Sequence, residues 1–255
     1  MAFSNKPDLQ RFVDRLTSRS VLTREEQQAI LDLPCRSQHV QSNRDFVPLG
    51  ERVDHACLIV AGIVGRFGQN ADGQRQITAM HIPGDMADLH SVVQPKAVSA
   101  LQALSIATIL KVPHAELRAI AADYPAIAEA LWRDCMVDAS VLSQWVINVG
   151  RRDARERIAH LLCEMAIRLH VAPAEGEIVF PFAVTQSQLA DATGLTSVHV
   201  NRTLQAMRRA GLADICGKAA RIPDWDALVS AGEFDASYLL TDVKPEERLR
   251  IAEAA

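Results

Sequence analysis

Val198, Arg202, Gln205 and Arg209 recur at helical spacing in the stretch VTQSQLADATGLTSVHVNRTLQAMRRAGLADICGKAAR, which runs from Val184 to Arg221. Val200, Leu204 and Met207 share the period and supply the buried face, so the first set points away from it. An arginine carried outward on a helix can donate two parallel hydrogen bonds to O6 and N7 of a guanine in the major groove, worth about 1–3 kcal/mol of discrimination. Val198 has no hydrogen-bonding side chain, but its methyl groups suit the methyl group of thymine. This is the chemistry of reading base edges.

Such a face needs a rigid mount. Thr185 and Gln188 are three apart and form a capping box that opens a first helix. Gly194 supplies the positive φ of a sharp helix-to-helix turn, and Thr196 caps a second helix. Residues 177–184 read as a strand leading into this pair, after a turn over 171–176. Residues 212–222, broken at Gly217-Lys218, read as a hairpin following it. A helix-turn-helix followed by a hairpin is a winged helix.

The remaining composition sets the context. With 255 residues there is room for about two domains, and 49% hydrophobic with 23% charged residues is globular rather than disordered. The formal net charge of -4 means that affinity for nucleic acid has to come from a local basic face. Arg202, Arg208, Arg209, Lys218 and Arg221 supply one against a single Asp214, whereas the tail is acidic through Glu233, Asp235, Asp242, Glu246, Glu247 and Glu253. Five scattered cysteines without a CxxC pair imply a reducing compartment, the cytoplasm. The opening MAFSNKPDLQ lacks the blocks of a signal peptide, and no apolar run has the length of a membrane span, so neither secretion nor a membrane partner is expected.

Along the chain, residues 1 to about 33 read as two short helices, the second opened by a capping box of Thr23 and Glu26. From Phe46 to Pro113, short apolar runs alternate with turns such as Asn70-Ala71-Asp72-Gly73 and Pro83-Gly84-Asp85, the texture of an antiparallel β-barrel. A long helix then starts after Asp123 and ends at Gly150, about 37 Å of rod. Leu131, Cys135, Leu142, Trp145 and Val149 form a seam for a second copy, interrupted by Asp138; Trp132, Met136, Val141 and Val146 make other sides apolar too, so one side can pack on the barrel and another on the partner. The division expected is 1–124 for the helices and barrel, 125–150 for the dimerisation helix, 151–230 for the winged helix and 231–255 for an acidic tail.

In this α+β arrangement the chain resembles the Crp/Fnr superfamily of bacterial transcription regulators, over about residues 40 to 223. The motif from Val184 to Leu212, the wing-like Cys216-Gly217-Lys218 and the HIPGD turn at His81–Asp85 carry the resemblance. It implies a jelly-roll, cyclic-nucleotide-binding-like barrel, a homodimer reading a palindromic operator in double-stranded DNA, and RNA polymerase as a further partner. It places Arg202, with Ser197, Val198 and Asn201, at base-reading positions. It places Thr185, Gln186, Ser187, Thr196, His199 and Lys218 against the phosphate backbone, where they set register rather than sequence.

At the sensing end, cyclic-nucleotide binders of the family hold the phosphate with a Gly-Glu and an Arg-Ser or Arg-Thr pair. The corresponding segments here, Gly84-Asp85-Met86-Ala87-Asp88-Leu89-His90 and Ala97-Val98-Ser99-Ala100, contain no Arg, and Asp88 would repel a phosphate. Cyclic AMP is therefore not the expected signal, and Gly84, Asp85, Asp88, His90 and Ser99 stand as the candidate effector pocket. Asp88 and His90, two apart on a strand, would share a face and could pair. No iron–sulfur cluster is expected, because the N-terminal end offers only Cys35. Haem stays open through His81, His90, Met80 and Met86, although a lone barrel histidine is more often a structural hydrogen-bonder. Two rival readings remain. A metal-dependent barrel enzyme would need a compact His and carboxylate set, and His55, His81, His90 and His114 offer no His-x-His pair. A non-DNA-binding adaptor of the same fold would show no salt-sensitive association with any DNA.

Overall fold

The first helix, α1 (Lys6–Thr17), buries Leu9, Phe12, Val13 and Leu16, one helical stripe, and α2 (Arg24–Leu31) starts at the expected capping box. The Glu26 amide donates to Thr23 Oγ1 at 3.2 Å and the Thr23 amide donates back to Glu26 Oε2 at 2.6 Å. The computed structural model describes residues 6–173, 175–241 and 243–251. The first five residues, Ala174 of the turn, and Asp242 and Glu253 of the acidic tail lie outside the described residues.

Seven strands follow: β1 (Arg36–Val40), β2 (Arg44–Val47), β3 (His55–Ala61), β4 (Val64–Gln69), β5 (Arg75–His81), β6 (Ala100–Ala103) and β7 (Ala107–Pro113). They form a three-stranded sheet, β1-β7-β3, and a four-stranded sheet, β2-β6-β4-β5. Val40, Val47, Cys57, Ile59, Val64, Leu101 and Ile109 come from both sheets and share one buried cluster, which is how a sandwich of alternating strands removes its inner faces from water. β1 extends the strand region ten residues before the expected start at Phe46. Gly62 is required where β3 turns into β4: its φ is +86°, and a Cβ there would lie 2.3 Å from the Ile106 carbonyl oxygen.

After α3 (His114–Asp123), helix α4 runs from Pro125 to Arg151, through Gly150 rather than ending at it. The face it turns to its own chain differs from the expected seam. Leu131 (7% exposed) and Trp145 (5%) are buried within the protomer and Cys135 and Val149 are half-buried; of the expected seam only Leu142 is exposed. The exposed apolar side carries Trp132, Met136, Leu142, Val146 and Ile147. Because α4 is apolar around most of its circumference, periodicity finds stripes but cannot say which one the chain's own core takes.

The chain divides into two compact units, one comprising the segment up to Arg66, His81–Ala139 and the segment from Leu240 onward, the other Phe67–Met80 with Ser140–Leu239. In the first, the end of the chain returns to the N-terminal helices. The Leu249 amide donates to the Arg19 carbonyl, its own carbonyl accepts from the Val21 amide, and Arg250 grips Glu26 through two hydrogen bonds of 2.7 and 3.0 Å. Burial opposes ionisation of Glu26, but Arg250 and Thr23 hold its carboxyl below the ordinary range. The tail is thus anchored by one of its few cations.

In the second unit, α5 (Ala154–Arg168) is started by a capping box of Asp153 and Glu156. It packs with α6 (Gln186–Thr193), α7 (Ser197–Arg209) and α8 (Trp225–Ala231) beside a small antiparallel sheet ordered β8 (Ile178–Pro181), β10 (Ala219–Ile222), β9 (Asp214–Cys216). Residues beyond α8 are not a solvated tail at first: Phe234 and Tyr238 stack around His160 of α5, and Leu239 is buried. His160 is 1% exposed, and burial together with Arg152 lowers its pKa to about 4. A histidine of pKa near 6.5 when unfolded and about 4 when folded binds more protons unfolded between those values, so stability falls as pH drops through that window. The expected loss is about 3 kcal/mol. Urea unfolding across pH 7 to 4 should show it in the wild type and less of it in His160→Gln; parallel curves would remove His160 as the cause.

Candidate nucleic-acid interface

The helix-turn-helix is built by local rules. Thr185 Oγ1 accepts from the Gln188 amide at 3.2 Å, and Gln188 Oε1 accepts from the Thr185 amide at 2.8 Å, closing the capping box at the start of α6. Gly194 ends α6 in the left-handed region at φ +65°, and Thr196 Oγ1 accepts from the His199 amide at 3.2 Å to begin α7. The last carbonyls of α6 are satisfied from elsewhere in the unit. Arg157 Nη1 donates to the Thr193 oxygen at 2.9 Å and Gln76 Nε2 to the Ala192 oxygen at 3.2 Å. Both donors are distant in sequence, and no motif announces them.

Val200, Thr203 and Met207 are the buried residues of α7, with Leu204 half-buried. The opposite side presents Val198, 63% exposed, with Ser197, Arg202, Gln205 and Arg209 also exposed and Asn201 half-buried. Thr185, Gln186, Ser187, Thr196, His199 and Lys218 are all exposed in the same unit. The two cap threonines use an oxygen lone pair on a backbone amide and keep the hydroxyl proton, which is the donor a phosphate oxygen needs. Lys218 follows Gly217, whose φ of +63° makes the tight turn between β9 and β10.

Of the five expected cations, two are committed: Arg208 Nε binds Asp214 at 2.8 Å and Arg221 binds Glu177 at 3.0 Å. Arg202, Arg209 and Lys218 have no acidic partner among the described residues. Sequence reading missed Arg155, which lines a groove of about 670 Å³ with Asp153, Thr196, Val198, His199 and Arg202. Its place in the run Arg151-Arg152-Asp153-Ala154-Arg155 was the available signal.

The barrel residues have different employment from that expected. Asp85 is buried, its Oδ1 2.8 Å from Arg15 Nη1 and its Oδ2 accepting from the Ile82 amide at 3.0 Å. Arg15 also binds Asp134 of α4 at 2.7 Å, so Asp85 is tied through Arg15 to α1 and α4. Asp88 and His90 do not lie on a strand: a 3-10 turn occupies Leu89–Val92, with Asp88 at its N-cap position. Asp88 Oδ1 accepts from the Cys57 amide at 2.7 Å instead of pairing with His90, and burial raises its pKa despite that bond. Burial and Arg66 lower the pKa of His90. Gly84 takes φ +99° and Ser99 is half-buried. Met86 belongs to the buried cluster that holds Leu58 and Leu89.

An arginine from β4 reaches this segment. Arg66 Nη2 donates to the Ala87 carbonyl at 2.7 Å, and Nη1 lies 2.8 Å from Asp138 Oδ2. Burial works against the Asp138 charge, yet Arg66 keeps its pKa low. Asp138 is the residue that interrupts the apolar seam of the long helix, so that interruption is the trace of a half-buried ion pair.

Residues 156–231 match a Crp-like helix-turn-helix domain. The regulatory protein HlyX of Actinobacillus pleuropneumoniae is 24% identical over 193 residues, covering 76% of this chain and 80% of the relative. The transcriptional activator protein FnrL of Cereibacter sphaeroides is 26% identical over 182 residues, 70% of this chain and 72% of that one. Among solved structures, FixK2 from Bradyrhizobium japonicum superimposes with a TM-score of 0.70 at 24% identity, covering 78% of this chain and 98% of that one.

Proposed function

We propose that this chain, a transcription regulator of the Crp/Fnr superfamily, reads a palindromic operator as a homodimer, with RNA polymerase as a further partner. The observation that carries the reading is the doubly capped helix-turn-helix whose outward strip, Val198 and Arg202, is exposed and without an acidic partner inside the matched domain. Ser197 completes the base-reading set with Asn201 beside it on the same face of α7, and Thr185, Gln186, Ser187, Thr196, His199 and Lys218 hold the backbone. Arg155 joins them at the groove.

Dimerisation rests on the exposed side of α4. Trp132, Met136, Ala139, Ser143 and Val146 recur at alternating four- and three-residue steps, the spacing of a two-stranded seam, with Leu142 and Ile147 beside it. Trp132→Glu combined with Val146→Glu should give a monomer in sedimentation at concentrations where the wild type is dimeric; a variant that remains dimeric would move the interface elsewhere. The Arg66–Asp138 pair already uses the cation that a ligand phosphate would need, which supports a signal other than cyclic AMP. A signal would act by favouring one arrangement of the long helix, a population shift that sets the recognition helices about 34 Å apart.

The test is selection of bound sequences from a random pool of duplex DNA. Enrichment of an inverted repeat whose half-sites share a guanine is the expected result, with affinity falling steeply as salt rises. Failure to enrich any sequence at low salt would leave the adaptor reading in its place.

A further inference from the structure

A line of side-chain amides crosses the reading face of α7. Asn201 Nδ2 donates to Gln186 Oε1 at 3.2 Å, and Gln205 Nε2 donates to Asn201 Oδ1 at 3.0 Å. Gln186 is the first residue of α6, and Gln205 stands one helical turn after Asn201. The amide at one end therefore belongs to the helix assigned to the phosphate backbone, and the amide at the other lies on the base-reading strip.

Each amide has two N–H donors and two oxygen lone pairs. Asn201 is engaged at both ends: one proton goes to Gln186 and one lone pair to Gln205. Among the described residues Gln205 is engaged only once, through one proton. Its free edge keeps an N–H donor and a whole carbonyl oxygen, the complement of adenine, whose major-groove edge offers N7 as acceptor and the N6 amino group as donor. Gln205 is also exposed, whereas Asn201 is half-buried. From this asymmetry we infer that Gln205 reads an adenine in each half-site and that Asn201 is its positioning residue rather than the reader. The inference rests on the DNA-reading function above.

Position follows from helix geometry. Gln205 lies three residues beyond Arg202, about 4.5 Å along the axis. DNA rises about 3.4 Å per base pair. The adenine therefore sits one or two base pairs from the guanine bound by Arg202. Gln186 ties this reading to register: with its oxygen occupied by Asn201, its Nε2 protons face outward for a phosphate oxygen, so the same row of amides connects a backbone contact to a base contact.

The experiment compares wild type, Gln205→Ala, Gln205→Glu and Asn201→Ala by selection from a random duplex pool. Competition binding on the enriched site and its single-base variants then follows. The side chains are at the surface, and circular dichroism checks that each variant is folded. Wild type should prefer adenine at the named position by roughly ten- to a hundred-fold. Gln205→Ala should lose that preference there and nowhere else, while the guanine read by Arg202 stays fixed. Gln205→Glu, which can only accept, should favour cytosine through its N4 amino group. Asn201→Ala should relax the same position and weaken binding to every sequence. If Gln205→Ala keeps the full preference, or only Asn201→Ala relaxes it, the assignment to Gln205 is overturned while DNA reading stands. If the wild type itself enriches nothing, the proposed function and this inference fall together.

Discussion

Replacing Arg202 with alanine should weaken binding to the selected palindrome by about 2–6 kcal/mol, because a dimer loses one bidentate guanine contact of about 1–3 kcal/mol in each half-site. Two contacts a full DNA turn apart are independent enough for their effects to add. The corresponding loss is about thirty-fold to twenty-thousand-fold in affinity. The residue is exposed and has no acidic partner among the described residues, so its removal should leave the fold intact. Arg202→Lys separates charge from geometry. A lysine keeps the positive charge but not the planar fork, so most of the discrimination should vanish while part of the affinity stays. Lys218→Ala offers the contrast of a phosphate contact: binding should weaken alike on all sequences, and the salt slope should fall by about one per contact removed. Equal affinity and unchanged sequence preference in Arg202→Ala would remove this residue from the reading face.

The contrast between these residues follows from how the site is encoded. The caps and the bend that start α6, end it and start α7 lie within one turn of the residue responsible: Thr185 with Gln188, Gly194 at the bend, Thr196 with His199. Such interactions are fixed by chain neighbours, and their spacing can be read without tertiary information. The amide row differs, because the Asn201–Gln186 bond closes between two helices and its direction depends on how they pack. The sequence alone therefore puts Asn201 on the reading face and leaves Gln205 as merely outward-pointing.

Distance in sequence explains the barrel as well. Arg66 and Asp138 are 72 residues apart and meet only because the segments that carry them fold into one unit. Nothing within residues 84–100 announces that a cation from another strand will reach the Ala87 carbonyl. Likewise, nothing local in the tail announces that Arg250 will grip Glu26, and its acidic composition points the other way. On α4 the difficulty is degeneracy rather than distance. Leu131 and Trp145 make as good a stripe as Trp132 and Val146, and the choice is made by what α4 covers. For Trp145 the decisive partner is polar, since its indole N–H donates to Glu164.

Glu164 is where the second unit should be most vulnerable. It is fully buried on α5, yet it is saturated with donors: Trp145 Nε1 at 2.9 Å and the Tyr238 hydroxyl at 2.9 Å reach Oε2, and Arg168 Nη1 at 2.9 Å reaches Oε1. Burial and the Glu164 charge both raise the pKa of Tyr238, which keeps its hydroxyl a donor. Glu164→Ala strands a buried indole N–H, takes the carboxylate away from the half-buried Tyr238 hydroxyl and from Arg168, whose side chain is 8% exposed, and leaves a cavity. Breaking a buried charge pair from one side costs about 3–5 kcal/mol. Against a total stability of about 5–15 kcal/mol, that is enough to unfold much of the unit at 37 °C. Glu164→Gln keeps an oxygen for Trp145 and Tyr238 and loses only the charge facing Arg168, so it should cost about 1–3 kcal/mol. Tyr238→Phe, which removes a single donor, should cost about 1 kcal/mol. Urea unfolding of the three variants gives the ranking, and a Glu164→Ala protein as stable as Tyr238→Phe would show that the carboxylate is not the hub of this core. The consequence reaches the DNA through Trp145, because the bond to Glu164 joins the end of the long helix to the helix that carries the helix-turn-helix. Loss of operator binding in Glu164→Ala should accompany the loss of stability, with partial retention of both in Glu164→Gln.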